Sequence, residues 1–304
     1  MLSLVGFKSV SACLIWMLAM GGGLFPIYCM QPGGLLNSCL NMLTGGVFLA
    51  SSFVHLLPDA MRNVPLASLG CKVDDNDLTL KDKCFPFAFF FYGIGFLTIL
   101  LLEVVAHAVK DHLLRRSLSE ELIPLTVNIS NQRKRDQECR DAEVTHAHMH
   151  DIMDRSDESK GIIAFAVFFA LSFHSLMEGI GIGAAPEYAW NILLAIIAHK
   201  SLAGMALTME LLHHKVTVRR IVYSLLVFAC MSPIGVFTGY ILAGSNPSES
   251  VGSGICTALA GGTFLYVGAM EILPQELQNK SHLGLKLACF VSAFILFSAL
   301  ALWI

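Results

Sequence analysis

Charged side chains are scarce in this chain. Asp, Glu, Lys and Arg supply 14% of its 304 residues, while 55% are hydrophobic. A soluble globular domain carries about a quarter charged residues, so that class is excluded. The net charge of −3 offers no basic surplus, and no nucleic-acid partner is expected. No HExxH run occurs. Acidic residues and histidines are strung along the apolar segments instead of crowding at one end, so an intramembrane zinc hydrolase is only an alternative, and no enzyme is expected. Strands are not needed either, because backbone in lipid must satisfy its own hydrogen bonds.

Hydrophobic length is abundant. Runs near 9–30, 36–57, 85–107, 161–185, 188–211, 220–243, 252–273 and 284–304 are each long enough for the ~20 residues that a ~30 Å hydrocarbon core requires. The expected fold is an all-α polytopic membrane protein of eight spans, forming a single transmembrane domain over 1–304. The first run follows Lys8 but is long for a signal-peptide core, and it contains Gly21-Gly22-Gly23, as closely packed spans do.

Basic residues are distributed unevenly. Fourteen Lys and Arg, Lys280 and Lys286 among them, fall in loops after odd-numbered spans, against five, including Lys8, on the other side. The positive-inside rule then puts the first group in the cytoplasm and both termini outside the cell or in a lumen. Of nine cysteines only Cys71 and Cys84 lie in a sizeable loop on the oxidising side, the others being in spans or on the cytosolic side, so a disulfide is expected there.

Spans two and seven echo one another. Gly45-Gly46-Val47-Phe48-Leu49 precedes Leu57-Pro58, and Gly261-Gly262-Thr263-Phe264-Leu265 precedes Leu273-Pro274 at the same interval. Both spans are expected to end at their Leu-Pro. Because one runs outward and the other inward, the copies would form an inverted repeat, spans 1–3 against 6–8, around a central hairpin of spans four and five. The long connection 108–160 lacks apolar periodicity and is expected to be cytosolic and largely disordered. It carries His146, His148 and His150, an HxHxH run that could act as an accessory metal acceptor.

The ionisable residues inside the spans are the candidate site, since such groups are costly in lipid and mark pathways. His174 and Glu178 stack one turn apart, and His199 belongs to the next span of a tight hairpin. Two imidazoles and a carboxylate suit Zn²⁺ or another divalent transition metal, with the Ser175 hydroxyl beside them. Lys200, as a buried ammonium, requires a carboxylate or a lowered pKa; it could pair with Glu178 or another acidic group, or stand as a fixed positive charge beside the metal. His55 and Asp59 at one end, and Glu271 and Glu276 at the other, would complete a pathway. His213 and His214 are read as complementing a helix C-terminus.

These residues resemble the ZIP family of divalent-metal transporters across essentially the whole chain. His174-Ser175-Leu176-Met177-Glu178-Gly179 is similar to the family's HSxxEG motif, and His199-Lys200-Ser201-Leu202-Ala203-Gly204 to its HK motif. The resemblance implies import of the metal into the cytoplasm from outside the cell, with the plasma membrane as the expected location, or from an organelle lumen. The metal would be cargo, with no resident cofactor; an iron- or manganese-preferring or broad-range carrier is the alternative. It further implies a homodimer, and an elevator-like motion of spans one, four, five and six against the rest. Gly179, Gly181, Gly183, Gly204 and Gly235 fit sliding, close-packed surfaces and fit static packing equally well. Some members hold two metals. Here Lys200 and Ala203 stand where those members carry acidic ligands, so a single metal is expected, with the Lys200 charge in place of the second.

Overall fold

The computed structural model describes residues 3–29, 34–69, 71, 84–132, 165, 167–185, 190–243, 251–278 and 280–303. Among them there is no strand, and eight helices are long and apolar enough to cross a membrane. The helices are α1 (Leu4–Cys29), α2 (Leu35–Arg62), the short α3 (Val64–Ser68), α4 (Phe87–Gln132), α5 (Val167–Ala184), α6 (Trp190–His213), α7 (Val218–Ala243), α8 (Val251–Gln278) and α9 (Leu283–Ala301). Residues 1–100 with 167–304 form one compact unit, and 101–166 another.

Three expected boundaries are corrected. α4 overruns residue 107 and continues past Pro124 to Gln132; residues 108–123 hold neither glycine nor proline and are rich in good helix formers, which favours helix over that stretch. The HxHxH run lies outside the described residues. α2 and α8 also pass through their Leu-Pro steps. In each, the backbone widens to π-helix just before the proline, over Ser51–Leu56 and Val267–Ile272. The Leu57 N–H donates to the Ser52 carbonyl and the Leu273 N–H to the Gly268 carbonyl, an i→i−5 bond in both. A proline in an α-helix lacks a donor and collides with the carbonyl four residues back; one wide turn relieves that collision without ending the helix.

The glycines sort the helices into two sets. In the first, a Cβ on Gly22 (α1) would lie 2.0 Å from the Ser201 carbonyl oxygen (α6), and one on Gly204 (α6) 2.3 Å from that of Ala19 (α1). Gly179 and Gly183 (α5) meet the Ser232 and Val236 carbonyls of α7 at 2.4 and 2.2 Å in the same sense. In the second set Gly46 (α2) abuts the Phe290 carbonyl (α9) and Gly262 (α8) that of Tyr92 (α4). Among the described residues no such backbone approach joins α1, α5, α6 and α7 to α2, α4, α8 and α9. Gly181 meets Thr257 only at an ordinary 3.8 Å. Between the sets, side chains do the packing: Ala198 and Leu202 of α6 rest on Val47, Ala50, Ala293 and Phe297. Gly179, Gly183, Gly204 and Gly235 therefore bind the first set together, the static packing that suited them as well as sliding did.

Two lysines assigned to loops are buried in helices. Lys8 donates to the Gly183 carbonyl at 2.6 Å near the C-terminal end of α5, and Lys286 pairs with Glu276 at 3.1 Å. Helix α6 ends in a 6→1 turn, Val216 N–H to the Leu211 carbonyl, with Lys215 held at φ 57°. That left-handed residue is normally glycine, since a Cβ costs ~1 kcal/mol there. Lys215→Gly is expected to raise stability by roughly 0.5–1 kcal/mol, read as a higher midpoint in a thermal-unfolding assay of the purified protein.

Candidate metal centre

The centre is built where α5 and α6 pack. One helical turn separates His174 from Glu178, so both side chains point the same way, and α6 brings His199 against them. One donor atom from each of the three lies within 4.8 Å of the others, and all three residues are buried. His174 Nε2 is 3.1 Å from Glu178 Oε1, and His199 Nε2 is 2.5 Å from the same oxygen.

Hydrogen bonding decides which His174 nitrogen is available. Its Nδ1 lies 3.0 Å from the Ala260 carbonyl oxygen of α8. A carbonyl only accepts, so Nδ1 carries the hydrogen and, in the neutral ring, Nε2 carries the lone pair. The Thr263 hydroxyl donates to the same carbonyl at 2.7 Å, leaving its oxygen to accept from Nδ1 at 3.2 Å. His174 Nε2 itself is buried without a hydrogen-bond partner. An imidazole lone pair and a carboxylate oxygen thus face each other in the protein interior, which is favourable when both point at a cation. The Phe264 ring stacks on His174 with centroids 3.4 Å apart and meets His199 edge-on, so one face of the site is apolar.

Lys200 lies behind the carboxylate. Its Nζ donates to Glu178 Oε2 at 3.3 Å and to the Ser175 hydroxyl at 2.8 Å, and it sits 5.1 Å from the Phe228 ring centroid. Ser175 is not brought into the ligand cluster. One residue along the helix turns it by about 100° from His174, and its hydroxyl meets Ser232 at 2.8 Å on α7. It holds the ammonium instead.

A cavity of about 310 Å³ leads to the centre from one end of the bundle, with His55, Asp59 and Arg62 in its wall and Glu178 at its floor. His55 Nδ1 lies 3.1 Å from Asp59 Oδ2, and Arg62 is 3.6 Å from Oδ1. The residues at the other end are arranged differently. Glu276 is tied to Lys286 and accepts from Asn41 Nδ2 at 2.9 Å. Glu271 is half-buried in the π segment of α8, at the register His55 has in α2. Neither lines the cavity. Cys71 and Cys84 form a disulfide, Cα–Cα 4.4 Å. Sequence reasoning missed Glu210, which is buried at the end of α6 beside His213 and His214. The available signal was a Glu-x-x-His-His spacing, which puts all three on one helical face.

Comparison with known proteins identifies the family. Residues 5–302 match the family described as ZIP zinc transporter. Human zinc transporter ZIP2 is 27% identical over 323 aligned positions, covering 99% of both chains. Human and mouse zinc transporter ZIP1 are 29% and 30% identical over 273 positions, covering 86% of this chain and 77% of theirs. With a family match that runs from the first spanning helix to the last, this chain belongs to the ZIP zinc transporter family.

Proposed function

We propose that this protein moves divalent transition-metal ions, Zn²⁺ foremost, across a membrane into the cytoplasm by way of His174, Glu178 and His199. The observation that carries the reading is the buried His174 Nε2, whose lone pair faces the Glu178 carboxylate with no hydrogen to share. Relatives that match most of the chain are named zinc transporters, which supports the same cargo class. Three protein ligands leave a coordination position open, which suits an ion that must be released.

An ion arriving through the cavity meets His55 and Asp59 first, then Glu178. It takes the Nε2 lone pairs of both imidazoles, the His199 ring moving its one hydrogen from Nε2 to Nδ1, which is buried without a hydrogen-bond partner. Lys200 keeps a fixed positive charge on the far carboxylate oxygen, so the centre holds one metal. The excess of basic residues in the loops after odd-numbered spans supports a cavity mouth and both termini on the exterior or lumenal side, with the plasma membrane as the home we favour.

The two helix sets supply the motion. All three ligands belong to the set held rigid by glycine, while Ala260, Thr263 and Phe264 belong to the other. Sliding along the side-chain seam carries the ligands away from these contacts without disturbing the centre. The matching π turns in α2 and α8 support an inverted repeat. Two copies of the chain would pair in the bilayer as a homodimer.

Purified protein in liposomes should accumulate ⁶⁵Zn²⁺ down its gradient well above protein-free vesicles. Equal accumulation in the two preparations would refute the reading.

A further inference from the structure

A second group of donors closes the C-terminal end of α6, the end remote from the cavity, whose wall uses Asn191, Ile192 and Ile196 near the start of that helix. Glu210, His213 and His214 each place one donor atom within 4.8 Å of the others. The Glu210 side chain is 8% exposed, and His214 Nε2 lies 2.8 Å from its Oε1. That nitrogen is nevertheless buried without a hydrogen-bond partner, because the contact lacks the alignment of an N–H···O bond. His174 and Glu178 show the same geometry at the central site.

Gln275 reaches over from α8. Its amide Nε2 donates to both Glu210 oxygens, at 3.3 and 3.2 Å, and approaches His213 Nδ1 at 3.1 Å. An amide N–H only donates, so His213 Nδ1 is the acceptor and its lone pair faces the group. Rotating the amide by 180° would present its carbonyl oxygen to the same point. Hydrogen bonding accounts for Gln275, but not for the orphaned His214 nitrogen. One carboxylate, two imidazoles and an amide oxygen make a set for a borderline divalent cation; Ca²⁺ and Mg²⁺ call for oxygen alone.

We propose that Glu210, His213 and His214 form a second divalent transition-metal site, completed across the seam by Gln275. The site rests on these contacts; that its occupant is the transported ion rests on the transport reading. Because Gln275 belongs to the other helix set, a bound ion ties α6 to α8 and holds the arrangement seen here.

Equilibrium dialysis of purified full-length protein against Zn²⁺, with metal counted per chain, tests the site. The double variant Glu210→Ala, His214→Ala should bind one ion fewer than wild type, and His174→Ala, His199→Ala should lose a different one. An unchanged count in the first variant overturns this proposal and leaves the transport reading standing; an unchanged count in the second does the reverse. Gln275→Glu gives an independent readout of opposite sign. As a ligand, the new carboxylate should tighten binding at this site about tenfold. If the group is only a hydrogen-bonded lock, a second carboxylate beside Glu210 brings no gain, and that result also overturns the proposal.

Discussion

His174→Ala and His199→Ala should each reduce zinc uptake to about background in cells that display the protein normally, since either change leaves only two of the three ligands of the proposed site. His174 fills three roles at once. Its Nε2 faces the Glu178 carboxylate, its Nδ1 is fixed by the Ala260 carbonyl, and its ring covers Phe264. Removing it also strips Glu178 of one imidazole, leaving a carboxylate paired to Lys200 and His199 alone. His199 holds the shorter contact to Glu178 and is completely buried, so no water can readily replace it. Radiolabelled zinc uptake, normalised to surface-biotinylated protein, measures the effect. Undiminished uptake by either variant at normal display would remove the centre from the pathway. Two ligands lost from one site cannot cost twice what one costs, so the double variant should match the singles, whereas two independent routes would give an additive loss.

Much of this was legible from residue order because lipid makes ionisable groups expensive. His174, Glu178, His199 and Lys200 stood out against apolar surroundings, and helical spacing alone put the first two on one face. The pairing of Cys71 with Cys84 followed from elimination of other loop cysteines. Where the reading failed, a local rule met a tertiary partner it could not see. Pro58 and Pro274 looked like helix ends because proline removes a donor, yet a π turn before each lets the helix continue. Lys8 and Lys286 looked like loop charges because lysine in a span is costly, yet a carbonyl and a carboxylate receive them. The glycines announced close approach but not which helices approach. Their partners divide the bundle, and that information resides only in the packing. Glu210 escaped because its histidines lie at a helix end, where charge is commonplace.

Lys200→Met should tighten zinc binding at the centre at least tenfold and slow its turnover. Methionine keeps the length and the apolar stem against Phe228 but removes the ammonium that holds Glu178 Oε2 and the Ser175 hydroxyl. With lysine present the carboxylate is already neutralised, and an incoming divalent ion must approach a fixed positive charge. At ~5 Å and an effective dielectric constant of about 20, that repulsion amounts to several kcal/mol, whereas a tenfold change in affinity needs only ~1.4 kcal/mol. Part of it is lost to relaxation, which is why a tenfold gain is the lower bound. An ion held more tightly leaves more slowly, so the maximal flux should fall while the half-saturating concentration falls with it. Zinc affinity from dialysis and the flux–concentration curve in liposomes measure the two effects separately. Weaker binding would mean that lysine serves to orient Glu178 and not to weaken its hold. Uptake of a second ion at the centre by the variant would be a further consequence of removing the charge, and titration to saturation counts it directly.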